Sequence, residues 1–316
     1  MKAKYSIVVP VYNEQEAVPL FHKAITPVME SLNEPYEVIF VNDGSRDNTL
    51  NVLKEIANSD NRVKVVSFSR NFGQQAAIFC GFENASGDAV IPIDVDLQDP
   101  VEAIPLMIEK WKEGYDIVHG KRLKRKGESF FKKITSKLYL KFIKKISGLN
   151  IPKDVGEFKL FDRKVIDVLV NMTEQDRFLR GLSSWVGFKQ TEVEFVRQER
   201  TAGETKYGFK KMIKLAYNSI ISLSKWPLSL SLKLGIACGF LSVCAFITFI
   251  ILAICKIVLP LTAWLFPTIA LLFSISYVFN GVTNIYLRRT YEEVQNRPRY
   301  LVREKINFNE ANDGQN

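Results

Sequence analysis

Residues 6–14 of the chain are SIVVPVYNE, an apolar segment of strand length followed by the polar residues Asn13 and Glu14. Four later segments share its Val- and Ile-rich composition: EVIFVND (37–43), VKVVSF (63–68), AVIPID (89–94) and DIVHG (116–120). Segments with helical patterning separate them, around residues 16–32, 49–58, 73–84 and 101–113. This alternation of strands and helices predicts an α/β fold with a doubly wound, mostly parallel sheet.

Polar clusters follow the predicted strands at the point where each strand ends. They comprise residues 13–14, 42–45, 70–73 and 94–96. In open α/β sheets, ligands bind beyond the carboxyl ends of the strands, so we expect one sheet edge to gather all four clusters. A Rossmann dehydrogenase is excluded, because no Gly-x-Gly-x-x-Gly sequence follows the first strand.

The carboxylates of Asp94 and Asp96 lie at the end of the apolar segment AVIPID. Two carboxylates at the end of a buried strand are costly unless a cation lies between them. Mg²⁺ is commonly held by one or two carboxylates together with phosphate oxygens of a substrate. The position of the pair therefore favours a site for Mg²⁺ or Mn²⁺ over two solvated loop acids.

Two long segments near the C-terminus, 234–255 and 257–287, carry no charged residue. Each is longer than the about 20 residues that a helix needs to cross a hydrocarbon core, which favours a transmembrane hairpin over two buried helices of a soluble protein. Arg288 and Arg289 follow the second segment, so the positive-inside rule predicts that both termini are cytoplasmic. Because the N-terminus has no signal-peptide pattern, we expect a multi-pass inner-membrane protein with its soluble part in the cytosol.

Residues 121–145 form a basic run with eleven Lys or Arg and one Glu, a net charge of +10, whereas the whole chain is +9. This run is expected to meet anionic phosphates or a membrane surface, and no nucleic-acid partner is predicted. Residues 128–146 and 208–226 have amphipathic helical spacing, and each could lie in the membrane interface or pack on the sheet. The four cysteines have no metal-ligand spacing and are interpreted as small apolar residues.

Several motifs occur in a fixed order: VVPVYNE, VNDGSRDNT, SRNFGQQAA, DVDLQDP, GEFKLFDR, RFLRGLSSWVGF and RTAGETKY. In this order they resemble the family-two GT-A glycosyltransferases, and in particular the polyprenyl-phosphate branch. That branch includes dolichyl-phosphate mannose synthases and bactoprenol glucosyltransferases, and the two-span C-terminus resembles the bactoprenol type. The resemblance implies a GT-A fold, a nucleotide-sugar donor and a polyprenyl-phosphate acceptor.

The resemblance also implies roles for particular residues of this chain. The nucleotide-sugar would be bound by residues of the first, second and fourth strand ends: Pro10, Tyr12, Glu14, Asp43 and Asp94. The metal would be bound by Asp94 and Asp96, with Gln98 as a possible further ligand, and Asp96 is also assigned to catalysis. Phosphates would be clamped by basic residues, with Arg200 and Lys206 assigned to catalysis and Arg122, Arg125 and Lys132 to the lipid phosphate.

One motif departs from the family pattern. The usual sequence is Gly-Asp-Phe followed by Arg, whereas residues 156–159 are GEFK. A phosphate monoester has a second pKa of about 6, so a lipid phosphate is largely anionic at neutral pH and hardly needs a base. Glu157 is therefore predicted to take part in catalysis by orienting the sugar, the metal or the acceptor, and Asp154 is a neighbouring alternative.

The predicted activity is an inverting, metal-dependent transfer of a hexose to undecaprenyl or another polyprenyl phosphate at the cytoplasmic membrane face. We expect glucose from UDP-glucose, while mannose, N-acetylglucosamine and an amino-arabinose derivative stay open. A lipid flippase subunit and a non-catalytic partner of a flippase are the alternatives from other classes. We also expect a homo-oligomer, with a flippase as a possible partner. The predicted domains are a catalytic domain (1–207), a juxtamembrane amphipathic helix (208–232), two transmembrane helices (233–289) and a cytoplasmic tail (290–316).

Overall fold

The computed structural model describes residues 3–123, 155–175, 177–196 and 261–308, together with isolated helical positions between 240 and 254. The chain divides into two compact units. The first contains the described residues up to 196 and from 298 onward, and the second contains the long helix that ends before residue 298.

The first unit begins with alternating strands and helices: β1 (Tyr5–Val11), α1 (Ala17–Glu30), β2 (Tyr36–Asn42), α2 (Thr49–Ser59), β3 (Val63–Phe68), α3 (Gln74–Asn84), β4 (Ala89–Pro92), α4 (Ile104–Lys112) and β5 (Ile117–Arg122). A short 3₁₀ turn, Val101–Ala103, precedes α4. The later elements of this unit are β6 (Val155–Asp162), α5 (Arg163–Val170), α6 (Leu179–Trp185), β7 (Gln190–Phe195) and β8 (Val302–Ile306). The second unit contains α7 (Leu261–Val294).

The eight strands form one sheet in the order β7-β5-β6-β4-β1-β2-β3-β8. The β1–β2, β1–β4, β2–β3 and β5–β7 pairs are parallel. β6 is antiparallel to both β4 and β5, and β8 is antiparallel to β3. Six strands thus run in one direction, and the prediction of a mostly parallel α/β sheet is confirmed.

Both faces of the sheet are covered, because side chains of each central strand alternate between them. In β1, Ile7 and Val9 belong to the core cluster that includes α1 and α4, whereas Val8 belongs to the cluster that includes α3 and α5. Burial on both faces explains why the central strands are nearly continuous runs of Val, Ile and Phe. The helices cover the two faces of the sheet, and the polar loops meet at its edge, beyond the carboxyl ends of the strands.

β6, β7 and β8 are elements that the sequence patterns did not predict. β8 pairs with the edge strand β3, in the register Val65↔Ile306 to Phe68↔Val302. The segment predicted only as a tail therefore completes the sheet of the first unit. Four contacts support this arrangement: the stacking of Tyr300 on Phe68 with 4.7 Å between ring centroids, the hydrogen bond from Ser69 N to Leu301 O, and the two hydrogen bonds from Asn307 Nδ2 to Ala57 O and Val63 O.

Among the described residues, none of the helices combines the length and the apolar character needed to span a bilayer. The first predicted span, 234–255, lies largely outside the described residues, as do the two predicted amphipathic helices. α7 covers most of the second predicted span. The transmembrane hairpin and the predicted domain boundaries stay predictions.

Candidate active site

The loops after β1 and β2 are joined by hydrogen bonds between their backbones and polar side chains. Asn13 N donates to Ser45 Oγ over 3.0 Å, and Arg46 N donates to Asn13 Oδ1 over 2.9 Å. Glu14 N donates to Thr49 Oγ1 over 2.9 Å. These bonds place Glu14 beside the start of α2, and they bring together two of the polar clusters predicted to meet at this edge.

Asp43 stabilises the loop that follows β3 through hydrogen bonds to its backbone. It is 3% exposed, and its two carboxylate oxygens accept hydrogen bonds from Phe72 N (2.7 Å) and Gly73 N (2.9 Å). Burial raises the pKa of Asp43, while these two hydrogen bonds and the charge of Arg70 oppose the shift. The structure thus shows a structural role for Asp43, and its predicted contact with the nucleotide stays a prediction.

Gly44 allows the loop after β2 to approach the loop after β3 closely. Its φ of +64° is in the left-handed region, and an added Cβ would lie 2.3 Å from the backbone carbonyl carbon of Arg70. Pro10 and Tyr12 lie at the neighbouring end of β1, where both are partly buried. The strand-end residues predicted to bind the nucleotide therefore lie along adjoining strands of one sheet edge.

Asp94 lies after β4, where Gln74 at the start of α3 donates from Nε2 to its Oδ1 over 2.7 Å. Burial raises the pKa of Asp94 to about 7, with further contributions from the charges of Asp99, Asp96 and Glu157, which Arg122 opposes. Because several carboxylates act on one another here, the site has an excess of negative charge. This edge of the sheet therefore suits a cationic ligand.

Asp96 follows in a strained loop. Leu97 has φ +56°, a conformation that is uncommon for a residue with a large side chain. Gln98 N donates to Asp96 Oδ1 over 3.1 Å, which closes the turn around Leu97. Gln98 thus lies beside Asp96, but its predicted role as a metal ligand stays a prediction.

Arg122 is held by Asp99, a residue that sequence reasoning did not single out. Arg122 Nη2 lies 3.1 Å from both carboxylate oxygens of Asp99, and Nε lies 3.2 Å from Oδ1. Gly156 makes room for this pair, because a Cβ there would come 2.8 Å from Arg122 Nη2. Arg122 was predicted to bind the lipid phosphate. In the structure, part of its guanidinium group instead forms an ion pair with Asp99. The spacing of Asp99 after the Asp-x-Asp pair is the signal that could have identified it.

Glu157 lies near the start of β6, which is antiparallel and so begins at the carboxyl edge of its neighbours. Its Oε1 is 3.4 Å from Nε of Arg180 in α6, and the two side chains are 14% and 39% exposed. Among the described residues, Oε2 is buried and makes no hydrogen bond. The predicted catalytic carboxylate is thus brought to the site with one oxygen that lacks a hydrogen-bond partner among the described residues.

A buried polar network lies beside Glu157 and was also missed. Lys159, 1% exposed, donates from Nζ to Ser183 Oγ over 2.6 Å. Gln190 donates to the carbonyl of Ser183 over 2.9 Å, and its Oε1 lies 2.8 Å from Nε2 of His119. Burial lowers the pKa of Lys159 to about 8 and that of His119 to about 4.

The remaining predicted phosphate-binding residues lie outside the described residues: Arg125, Lys132, Arg200 and Lys206, with the alternative acid Asp154. Across the part of the chain that the structure describes, no group of three or more His, Cys, Asp or Glu side chains could hold a metal ion unaided. The donor chemistry at Asp94 and Asp96 nevertheless fits a hard divalent cation, since such ions complete their coordination with water and substrate oxygens.

This sheet, with an Asp-x-Asp pair beyond its β4 strand, defines the GT-A class of glycosyltransferase fold. The chain belongs to glycosyl transferase family 2, whose sequence model matches residues 6–170, and it is an enzyme of the glycosyltransferase class. In the solved M. tuberculosis glucosyl-3-phosphoglycerate synthase, the fold is similar with a TM-score of 0.50, at 18% identity over 70% of this chain and 81% of that one.

Two relatives align over nearly their full length. "Uncharacterized glycosyltransferase YkcC" of Bacillus subtilis is 46% identical over 95% of this chain and 93% of its own. "Bactoprenol glucosyl transferase" of Shigella phage SfII is 40% identical over 95% of this chain and 97% of its own. The similarity therefore extends through the C-terminal apolar segments as well as the catalytic fold.

Proposed function

We propose that the protein transfers a hexose from a nucleotide-sugar to undecaprenyl phosphate or another polyprenyl phosphate, with UDP-glucose as the expected donor. The observation that carries this proposal is the carboxylate-rich edge around Asp94, in a chain that aligns over 95% of its length with a bactoprenol glucosyl transferase. Such an edge suits the cation that accompanies a nucleoside diphosphate. The match over the apolar C-terminus supports a lipid acceptor.

Asp94 and Asp96 would hold Mg²⁺ or Mn²⁺, with Gln98 as a possible further ligand. The bound cation would stabilise the negative charge that develops on the departing diphosphate. Gln74 orients Asp94 through its hydrogen bond to Oδ1, and the turn at Leu97 fixes Asp96 beside it. The chain therefore contributes two carboxylates whose directions are set before a substrate arrives.

The reaction we propose is a single in-line displacement. An oxygen of the lipid phosphate forms a bond to the anomeric carbon, the bond from that carbon to the nucleoside diphosphate breaks, and the configuration inverts. Because the second pKa of a phosphate monoester is about 6, the attacking oxygen is already ionised at neutral pH. Glu157 then serves to orient a substrate group rather than to remove a proton.

The uncharged segments 234–255 and 257–287 support a location in the inner membrane, with the catalytic domain and both termini in the cytoplasm. Such an anchor would keep the site at the depth where the phosphate of a membrane lipid resides. The basic run at 121–145 would then lie near anionic headgroups. A homo-oligomer and a partner flippase are further proposals, which crosslinking in native membranes can test.

The test is an assay of the purified full chain in lipid nanodiscs with undecaprenyl phosphate. A panel of nucleotide-sugars is supplied with Mg²⁺, with Mn²⁺ or with excess chelator, and lipid-linked sugar is measured. We expect product with UDP-glucose, an absolute need for a divalent cation and a severe loss in the Asp96→Asn variant. Full turnover in chelator contradicts the metal site, and absence of lipid-linked product with every donor contradicts the proposed acceptor.

A further inference from the structure

The network of Lys159, Ser183, Gln190 and His119 has no part in the reaction described above. It lies between β5, β6 and β7 of the sheet and the helix α6. A fully buried ammonium group is expensive to maintain unless an anion compensates it. We therefore looked for the negatively charged group that compensates this buried lysine.

Glu157 is the carboxylate whose charge acts on Lys159. Glu157 contacts Arg180 and Lys159 contacts Ser183, and both partners belong to α6, so the two side chains lie on the same face of the sheet. His119 is the cross-strand neighbour of Lys159. It carries no charge at neutral pH, because burial and the charge of Lys159 lower its pKa. The buried cation thus shares a face of the sheet with Glu157, whose charge favours the ionised form of the lysine.

Arg180 acts on the same carboxylate from α6, through the contact of 3.4 Å between its Nε and Glu157 Oε1. Glu157, Lys159 and Arg180 together carry a net charge of +1, so the cluster disfavours a second cation at the remaining oxygen. Glu157 Oε2 makes no hydrogen bond to any described residue. The ligand that suits a charge-compensated carboxylate oxygen is a neutral O–H donor.

We propose that Lys159 is a positioning residue that holds Glu157 in place, so that its Oε2 is directed to a hydroxyl group of the transferred sugar. This inference rests on the proposed function, because it needs a bound sugar donor. Ser183 supports Lys159 by accepting its hydrogen bond, and Arg180 fixes the other oxygen of Glu157. Lys159 would then affect turnover without touching the substrate.

The first experiment compares Lys159→Met with Lys64→Met as a matched control. Lys64 binds a buried carboxylate, Glu37, over 2.6 Å at the amino ends of the strands, away from the candidate site. We expect Lys159→Met to lower kcat about 100-fold, the size of loss that misplacement of a reactive group by 1 Å can cause, with little change in KM for either substrate. Lys64→Met should lower the melting temperature and leave kcat close to wild type. Equal effects of the two variants on kcat would overturn the proposal.

The second experiment tests whether Lys159 acts through Glu157. Groups that act as one unit are strongly non-additive, so Lys159→Met should add little further loss of kcat in a Glu157→Gln background. Losses that multiply would overturn the proposal. Lys159→Arg, which keeps the charge, should recover part of the activity. If Lys159→Met fails to fold, Ser183→Ala provides the same comparison, since it removes only the hydrogen bond to the lysine.

The third experiment identifies the hydroxyl group with deoxy analogues of the donor sugar. One analogue should react slowly with the wild-type enzyme and no more slowly with Glu157→Gln or Lys159→Met. If every analogue is still sensitive to both variants, Oε2 does not bind a sugar hydroxyl and the proposal fails. A wild-type chain that forms no lipid-linked product at all would instead disprove the proposed function, so the two failures are distinguishable.

Discussion

Asp43 illustrates how one buried carboxylate can order two neighbouring loops. It accepts hydrogen bonds from the backbones of Phe72 and Gly73, and Gln74, which follows, orients Asp94. The residue was predicted from a motif as a nucleotide ligand. Its observed contacts join the loop after β2 to the loop after β3, and the next residue, Gln74, contacts Asp94 after β4.

We expect Asp43→Asn to destabilise the protein by about 1–3 kcal/mol, because an amide nitrogen would replace one acceptor and leave a buried N–H group without its partner. Activity should also fall, since Gln74 moves with the loop. Chemical denaturation and turnover measure the two effects. Asp167→Asn, on a side chain that is 61% exposed, should change the free energy of unfolding little. Unchanged stability of Asp43→Asn would show that the two hydrogen bonds contribute nothing.

His119 predicts a pH dependence of stability. Its folded-state pKa of about 4 is below the ordinary 6.5, so the unfolded chain binds the proton first as the pH falls. The contribution of neutral His119 is therefore complete above pH 6.5 and is lost as the pH falls towards 4. The lost stability amounts to about 3 kcal/mol from the difference between the two pKa values.

His119→Gln removes this titration and should flatten the fall in the free energy of unfolding between pH 6.5 and pH 4. The comparison uses the slope against pH, because the substitution also changes the contact with Gln190. Lys159, with its pKa lowered to about 8, titrates above this range. Parallel pH curves for the variant and the wild type would show that the histidine is not buried as a neutral group.

At the scale of elements, the sequence patterns identified β1 to β5 and α1 to α4 because their apolar periodicity is local. β6 was not predicted because its sequence, VGEFKLFD, contains a glutamate and a lysine, which suggest an exposed segment. Lys159 is nevertheless buried, since Ser183 and the charge of Glu157 compensate it. Ser183 belongs to α6 and Glu157 belongs to β6 itself. The contact between Lys159 and Ser183 joins residues far apart in the sequence, so a local sequence pattern does not reveal it.

The packing of α3 on the sheet depends on Gly81. A methyl group there would come 2.1 Å from Cγ1 of Val8 in β1. Alanine improves helix propensity by about 1 kcal/mol over glycine, but overpacking of a core costs about 1–3 kcal/mol and sometimes more. We expect the steric cost to win, so that Gly81→Ala lowers the free energy of unfolding.

The matched variant is Val8→Ala, which removes the methyl groups that would clash. The double variant should be more stable than the sum of the two single losses predicts, because the added and removed groups share one space. Urea denaturation of the four proteins provides the comparison. Strictly additive losses would mean that α3 and β1 do not meet as closely as the structure shows.

At the scale of the whole molecule, the chain's last strand stabilises the first unit. β8 pairs with β3, Lys54 forms an ion pair with Glu304 over 2.7 Å, and Tyr300 stacks on Phe68. A chain that ends at residue 297 should therefore have a lower melting temperature and faster hydrogen exchange at the amides of β3. A chain that ends at residue 308 is the control and should behave like the full protein. Equal exchange of β3 in both would contradict a stabilising role.

The candidate site was predictable to the extent that its residues follow the strands in sequence. Asp94 and Asp96 were found in this way, because strand order places strand ends at one edge. Asp99 and Lys159 were not, since their importance depends on which distant cation or anion they meet. Sequence reasoning therefore located the site but missed the charge compensation within it.

The late position of β8 has a consequence for the nascent protein. β7 ends at Phe195 and β8 begins at Val302, so the ribosome adds residues 196–301 before the edge of β3 can be covered. Domains begin to fold from the N-terminus during synthesis, and an open strand edge can pair with another chain. Completion of the sheet thus waits until residues 302–306 have been synthesised. A prematurely released polypeptide would carry an uncovered edge that chaperones or proteases can recognise.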